Sequence, residues 1–271
     1  SEPRWLDPGM ATDIAFDGPR QEDWPVRHNI ADRLRDIFAD KRVDVFFQPA
    51  VFRRKKLFLA DMDSTMIGQE CIDELADMAG VGPRVAAITE RAMNGELDFE
   101  GALLERVGLL RGLPESVIAE VLASRITLRP GARELVATMK VRGAYTALVS
   151  GGFTAFTAAV AGMLGFDEHR ANTLLAEDTR LTGDVARPIL GREAKVAALR
   201  DISARLGIGH DDVIAVGDGA NDLGMLKLAG AGVAIHAKPV VAAECDIRVN
   251  HGDLTALLYI QGYAADEFAE C

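Results

Sequence analysis

The stretch "LFLADMDSTMIGQE", residues 57–70, sets Asp61 and Asp63 two positions apart directly after a short apolar run. Four apolar residues bounded by a turn rich in Asp and Ser read as a buried strand entering that turn. A strand running into an ordinary Asx-type turn has the same appearance. What the two carboxylates mean therefore depends on what the remainder of the chain sets beside them.

Runs of the same kind return as "YTALV" at 145, "VIAV" at 213 and "GVAI" at 232, alternating with helical patterns. That alternation predicts βαβ units and a parallel sheet. Leu135, Val136 and Met139, then Phe153, Phe156 and Val160, recur at helical spacing and are expected on the sheet faces. From about 70 to 130 the pattern is helical throughout, punctuated by "GVGP" at 80, "MNGELD" at 93 and "GLP" at 112. The expected organisation is a main α/β core over 51–69 and 131–271, a small helical domain inserted at 70–130, and a short N-terminal segment over 1–50. A β-hairpin is expected over 173–190, turning near Gly183 in "TRLTGDV". Within the N-terminal segment, "IADRLRDIF" at 30 predicts an amphipathic helix and "VDVFF" at 43 a strand. The segment has too little apolar content for a core of its own, so it is expected to pack on the main body or on a second subunit, as in a homodimer.

With 271 residues, 49% of them apolar, the chain can bury one large core and a companion. A net charge of -11, with "RRKK" at 53–56 as the one dense basic run, argues against nucleic acid as a partner. Cys71, Cys245 and Cys271 lie far apart without CxxC spacing, which indicates neither a zinc site nor a disulfide framework and points to a reducing cytoplasm. No apolar run is long enough to span a bilayer, and no secretory signal pattern is visible.

Three of the four strand runs end in chemistry-bearing residues: Asp61 and Asp63; Ser150, Gly151 and Gly152; and "DGAND" at 218–222. Each could be a plain turn or a helix cap. In an open parallel sheet, however, ligands bind at the carboxyl ends of the strands, where these turns are expected to converge. The carboxylates of Asp61, Asp63, Asp218 and Asp222 suit Mg²⁺, which takes a few carboxylates and keeps water and phosphate oxygens as its other ligands. The backbone N–H groups of "SGG" and the Ser150 hydroxyl can hold phosphate oxygens at a helix N-terminus, and Lys195 in "GREAKVAAL" can add a cation.

"DMDST", "VSGG", Lys195 and "GDGANDLGML" resemble, in order, the four motifs of the haloacid dehalogenase superfamily. "DMDSTMIGQECIDELA", "ITERAMNGELDFEGALLERV", "LVSGGF" and "LTGDV" resemble its members that hydrolyse O-phospho-L-serine, over roughly residues 57–262. The resemblance implies a Rossmann-like parallel α/β core with an inserted α-helical cap, and release of L-serine as the last step of its biosynthesis. It implies Asp61 as nucleophile, Asp63 as general acid and base, and Mg²⁺ held by Asp61, the Asp63 carbonyl and Asp218. Ser150, Gly151, Gly152, Lys195 and Asn221 would serve the phosphate, with Asp222 supporting the metal shell and Lys195. In the cap, Glu70 would receive the substrate ammonium and Arg106 its carboxylate, while Met93 and Phe99 would close over the substrate. A signalling module with a lasting acyl-phosphate is disfavoured by Asp63, since ion-pumping relatives carry threonine there.

Overall fold

The computed structural model describes residues 2–17, 24–38, 40–93 and 96–270. Its elements run β1 (Arg4–Asp7), β2 (Ala11–Asp13), α1 (Trp24–Ile37), β3 (Leu57–Ala60), α2 (Cys71–Met78), α3 (Gly82–Met93), α4 (Phe99–Gly108) and α5 (Ser116–Ser124). They continue with α6 (Ala132–Val141), β4 (Tyr145–Phe153), α7 (Thr154–Leu164), β5 (Glu168–Asn172), β6 (Leu174–Glu177), β7 (Arg180–Val185) and α8 (Arg192–Leu206). The last are β8 (Val213–Gly217), α9 (Leu223–Leu228), β9 (Ala231–Ile235), α10 (Pro239–Ala243), β10 (Ile247–Val249) and α11 (Ala256–Ile260).

Six strands form one sheet in the order β10-β9-β8-β3-β4-β5. Every residue of β3 and of β8 is buried, the signature of parallel strands covered on both faces. The four apolar runs of the sequence are all strands of this sheet. The polar β5 and the three-residue β10 are strands without such a run: β5 reads "EHRAN", which no apolar or alternating pattern marks. The helical spacing is also realised, with Leu135, Val136 and Met139 of α6 and Phe156 and Val160 of α7 fully buried.

The chain divides into two compact units. One comprises Ser1–Leu59, Pro130–Thr146 and Leu199–Cys271. There β8, β9 and β10 pair in parallel, Val216 opposite Val233 and Val233 opposite Ile247. The N-terminal segment belongs to this unit and is fastened by ionic side chains more than by a core. Arg53 pairs with Asp13 at 2.6 Å and donates to the carbonyls of Tyr259 and Ile260 at the end of α11, while the Tyr259 hydroxyl donates to Asp7. The strand expected at "VDVFF" does not form: 43–49 carry no regular structure. Its Asp44 carboxylate instead accepts the N–H groups of Asn250, His251 and Gly252, so a side chain makes the contacts a ladder would have made.

The other unit comprises Ala60–Arg129 and Ala147–Ala198. Among the described residues of 71–124, helices α2 to α5 follow one another with no strand between them. The expected hairpin is β6–β7, but it turns elsewhere. Glu177 pairs with Arg180, and the turn is made by Asp178 and Thr179, both at positive φ (48° and 61°). Gly183 lies inside β7, where a Cβ would come within 2.9 Å of Arg111 Cβ. This glycine permits a close approach of the strand to the end of the α4 region.

Candidate active site

The second unit carries most of the candidate residues. Asp61 follows β3, and the apolar strand delivers its carboxylate into a buried position. Lys195, on the first turns of α8, meets it at 2.6 Å with side chains 2% and 7% exposed. Burying a lysine and a carboxylate costs several kcal/mol unless each is paired. A costly arrangement of this kind, set against local preference, is characteristic of functional sites. The sequence offers Lys195 as a cation for the phosphate, and here its ammonium meets the carboxylate of Asp61.

Asp63 is held from two sides. Its Oδ1 accepts the Cys71 N–H at the start of α2 (2.9 Å), where the helix dipole favours negative charge. Its Oδ2 accepts from the Ser150 hydroxyl (3.0 Å), and Ser150 Oγ in turn accepts the Gly152 N–H (2.8 Å). Burial, and then the facing Asp63, push the Cys71 thiol well above its ordinary value, so this cysteine stays a thiol.

The position of "SGG" in the sheet explains how its polar groups come free. Val149 pairs with Arg170 and Phe153 with Asn172, so four steps along β4 match two along β5. Ser150, Gly151 and Gly152 thus stand opposite the single Ala171 and bulge out of the ladder, as happens near many active sites. A Cβ on Gly152 would lie 2.8 Å from Asp63 Oδ2, and one on Gly151 or Gly191 would lie 3.2 Å from the Phe99 ring. These glycines let backbone approach the carboxylate and the ring closely. Asn172, which no sequence signal singled out, donates to Gly151 O and Leu190 O and accepts the Leu190 N–H.

In the helical part, Glu70 is exposed and precedes α2, with its Oε1 accepting the Ser64 hydroxyl at 2.7 Å. Ser64 sits at φ 56°, closing the turn after Asp63. Arg106, half-buried on α4, donates through Nε to the Ala102 carbonyl (3.2 Å). Burial lowers the Arg106 pKa, while the carboxylates of Asp73 and Glu70 act to keep it charged. Burial raises the Asp73 pKa, and Arg106 opposes that rise. Glu70 and Arg106 therefore lie within electrostatic reach of each other. Met93 ends α3, and its side chain lies outside the described residues.

The first unit carries the "DGAND" turn after β8. Asp222, fully buried, accepts the Gly219 N–H at 3.0 Å, and a Cβ on Gly217 would overlap its carboxylate. Asp222 thus occupies the N-cap position of α9 while its side chain turns back to brace the loop bearing Asp218. Asn221 lies in the same loop, against Gly219.

Residues 58–227 match the family model for haloacid dehalogenase-like hydrolases. A phosphoserine phosphatase of Haemophilus influenzae is 47% identical over 202 residues, 74% of this chain and 64% of that protein. One of Streptomyces coelicolor is 42% identical over 260 residues, 96% of this chain and 62% of that protein. The chain thus spans less than two thirds of the length of both. A solved structure of a substrate-bound phosphoserine phosphatase complex is 42% identical with a TM-score of 0.71, covering 76% of this chain and 98% of that one. With a family model covering more than half of it, the chain belongs to the haloacid dehalogenase-like hydrolases.

Proposed function

We propose that the protein hydrolyses O-phospho-L-serine to L-serine and phosphate through an aspartyl-phosphate on Asp61, the last step of serine biosynthesis. The observation that carries this is the buried Asp61–Lys195 pair beside an Asp63 carboxylate bonded to Ser150, in a chain similar to phosphoserine phosphatases along most of its length.

Asp61 attacks phosphorus in line with the P–O bond to serine, that bond breaks, and Asp63, carrying the proton that the preceding turnover took from water, gives it to the departing serine oxygen. Asp63, now a carboxylate, takes a proton from water as that water attacks the phosphoryl group and releases Asp61. The Lys195 ammonium, the Ser150 hydroxyl, the N–H groups of Gly151 and Gly152, and Asn221 hold the transferring oxygens. Glu70 takes the ammonium of the substrate and Arg106 its carboxylate, which the planar guanidinium fork suits. Phe99 and Met93 exclude water above them.

Asp61, Asp218 and Asp222 are a carboxylate set that can hold a metal ion. Purely oxygen donors of this type fit Mg²⁺. Asp61, Asp218 and the Asp63 carbonyl would hold it, with Asp222 in support, and when bound it offsets repulsion between the nucleophile and the phosphate dianion.

No described helix is long and apolar enough to cross a membrane. Cys71 and Cys245 are free thiols, which supports a reducing cytoplasm as the setting. The exposed Trp5, Met10, Ile14, Phe16 and Phe52 support a homodimer through the N-terminal segment. A solution mass unchanged by Trp5→Ser with Phe52→Ser would remove that reading.

The deciding experiment follows phosphate release from O-phospho-L-serine, O-phosphothreonine and p-nitrophenyl phosphate, with Mg²⁺ or a chelator, using Asp61→Asn as blank. Metal-dependent release favouring phosphoserine is expected. Release without that preference overturns the roles of Glu70 and Arg106, and no release above the blank overturns the reaction. Stabilisation against heat by Mg²⁺, lost in Asp218→Asn, tests the metal independently of turnover.

A further inference from the structure

Asn172 ends β5 with 2% of its surface exposed, and the proposed chemistry makes no use of it. Its amide is bonded on both sides: Nδ2 donates to Gly151 O at 2.9 Å and to Leu190 O at 3.1 Å, and Oδ1 accepts the Leu190 N–H at 2.7 Å. The carbonyl of Gly151 and the N–H of Gly152 belong to one planar peptide, so anchoring the oxygen fixes where the N–H points. That N–H points at Ser150 Oγ, 2.8 Å away.

This peptide needs an anchor. It joins two glycines, which offer little steric resistance to a flip. It also lies in the bulge between Val149 and Phe153, where the β4–β5 ladder does not hold it. A carbonyl that accepts a hydrogen bond also polarises its peptide and strengthens the N–H as a donor. The second carbonyl bound by Asn172, that of Leu190, shares its peptide with Gly191, in the loop that leads into α8 and Lys195. Phe99 lies against both Gly151 and Gly191, so one amide orders the two backbone segments beneath that ring.

We infer that Asn172 is a positioning residue: it holds the Gly151–Gly152 peptide with its N–H directed at Ser150 Oγ, the hydroxyl proposed to hold phosphate, and ties that peptide to the loop before Lys195. The inference rests on the proposed role of Ser150–Gly152 in holding phosphate.

Asn172→Asp keeps the acceptor for the Leu190 N–H and removes the donor toward both carbonyls, and Asn172→Leu removes both. Val185→Ala, buried in β7, controls for a general loss of stability. Asn172→Asp is expected to lower kcat by about 10- to 100-fold, short of the ~10²–10³ for outright loss of an oxyanion donor. The loss should be equal on O-phospho-L-serine and p-nitrophenyl phosphate with KM little changed, while Val185→Ala keeps its kcat per folded molecule. In ¹⁵N-labelled protein titrated with inorganic phosphate and Mg²⁺, the Gly152 amide resonance should move in the wild type and not in Asn172→Leu. A kcat in the folded Asn172 variants equal to that of Val185→Ala, or a Gly152 resonance that moves alike in every protein or in none, overturns the inference. If no phosphomonoester is turned over yet the Gly152 response depends on Asn172, the proposed reaction falls and the positioning role stands.

Discussion

The side chains proposed to react and those proposed to select substrate are held in different ways. Asp61, Ser150 and Lys195 are buried, and with Asp63 they are locked by short bonds to one another or to backbone. Glu70 is exposed, and Arg106 and Phe99 are half-exposed. Bond-making needs groups fixed before the substrate arrives, because reorganising charge during the reaction adds to the barrier. Selecting groups must admit a substrate and then close on it, so they keep some freedom. Substitutions on the first side should therefore lower the rate for every phosphomonoester, and those on the second should change which one is preferred.

The largest effect is expected from Asp61→Asn. Removing the nucleophile from a set that acts together costs on the order of 10⁴–10⁶ in kcat, read as phosphate release on any substrate. A variant retaining a tenth of the wild-type rate would break the comparison at its centre. Next is Lys195→Met, which leaves Asp61 buried without its cation. Breaking a buried pair from one side costs ~3–5 kcal/mol, visible as a lower denaturation midpoint together with a lost rate on phosphoserine and p-nitrophenyl phosphate alike. Normal stability with a lowered rate would show that water replaces the ammonium beside Asp61.

Arg106→Ala probes the selecting side. Truncating one partner of a desolvated charge pair costs ~2–5 kcal/mol, here expected in kcat/KM on O-phospho-L-serine and largely absent on p-nitrophenyl phosphate, which has no carboxylate. Equal losses on both substrates would move Arg106 to the reacting side. Asp73, whose charge opposes the lowering of the Arg106 pKa, is expected to share a smaller part of the same selective loss when changed to Asn.

Legibility in the sequence follows the same division. The parallel core could be read because β3 and β8 are buried on every residue, and such strands must be apolar without interruption. The strand "EHRAN" could not, since it is half-exposed and is fixed by pairing with β4. Asp61, Asp63, Ser150 and Asp218 could be found because each ends an apolar run, a local feature. Lys195 ends no apolar run and is placed in the sequence only by the resemblance of its motif, while Asn172 is marked by neither. An asparagine before a turn looks ordinary until the fold buries it against Gly151. Gly183 misled for a related reason: glycine marks both turns and close approaches, and only the packing of Arg111 distinguishes them.

The adjacent glycines give the finest test, because one methyl group added at each meets a different side of the comparison. On Gly152 a Cβ would stand 2.8 Å from Asp63 Oδ2 and 3.0 Å from Ser150 Oγ. Those two atoms are bonded to each other at 3.0 Å, so neither can yield without breaking the contact that aims it. Overpacking of that kind costs ~1–3 kcal/mol, and Gly152→Ala should lower kcat on both substrates by a matching factor. On Gly151 the Cβ would meet Phe99 Cζ at 3.2 Å, the far end of a half-exposed ring that can tilt by a few tenths of an ångström. Gly151→Ala should then cost only about 0.5 kcal/mol, as at an ordinary surface position, appearing in KM for phosphoserine with kcat unchanged. If Gly151→Ala instead lowers kcat as much as Gly152→Ala does, Phe99 is held as rigidly as the reacting carboxylates, and the boundary between reacting and selecting groups lies on the other side of that ring.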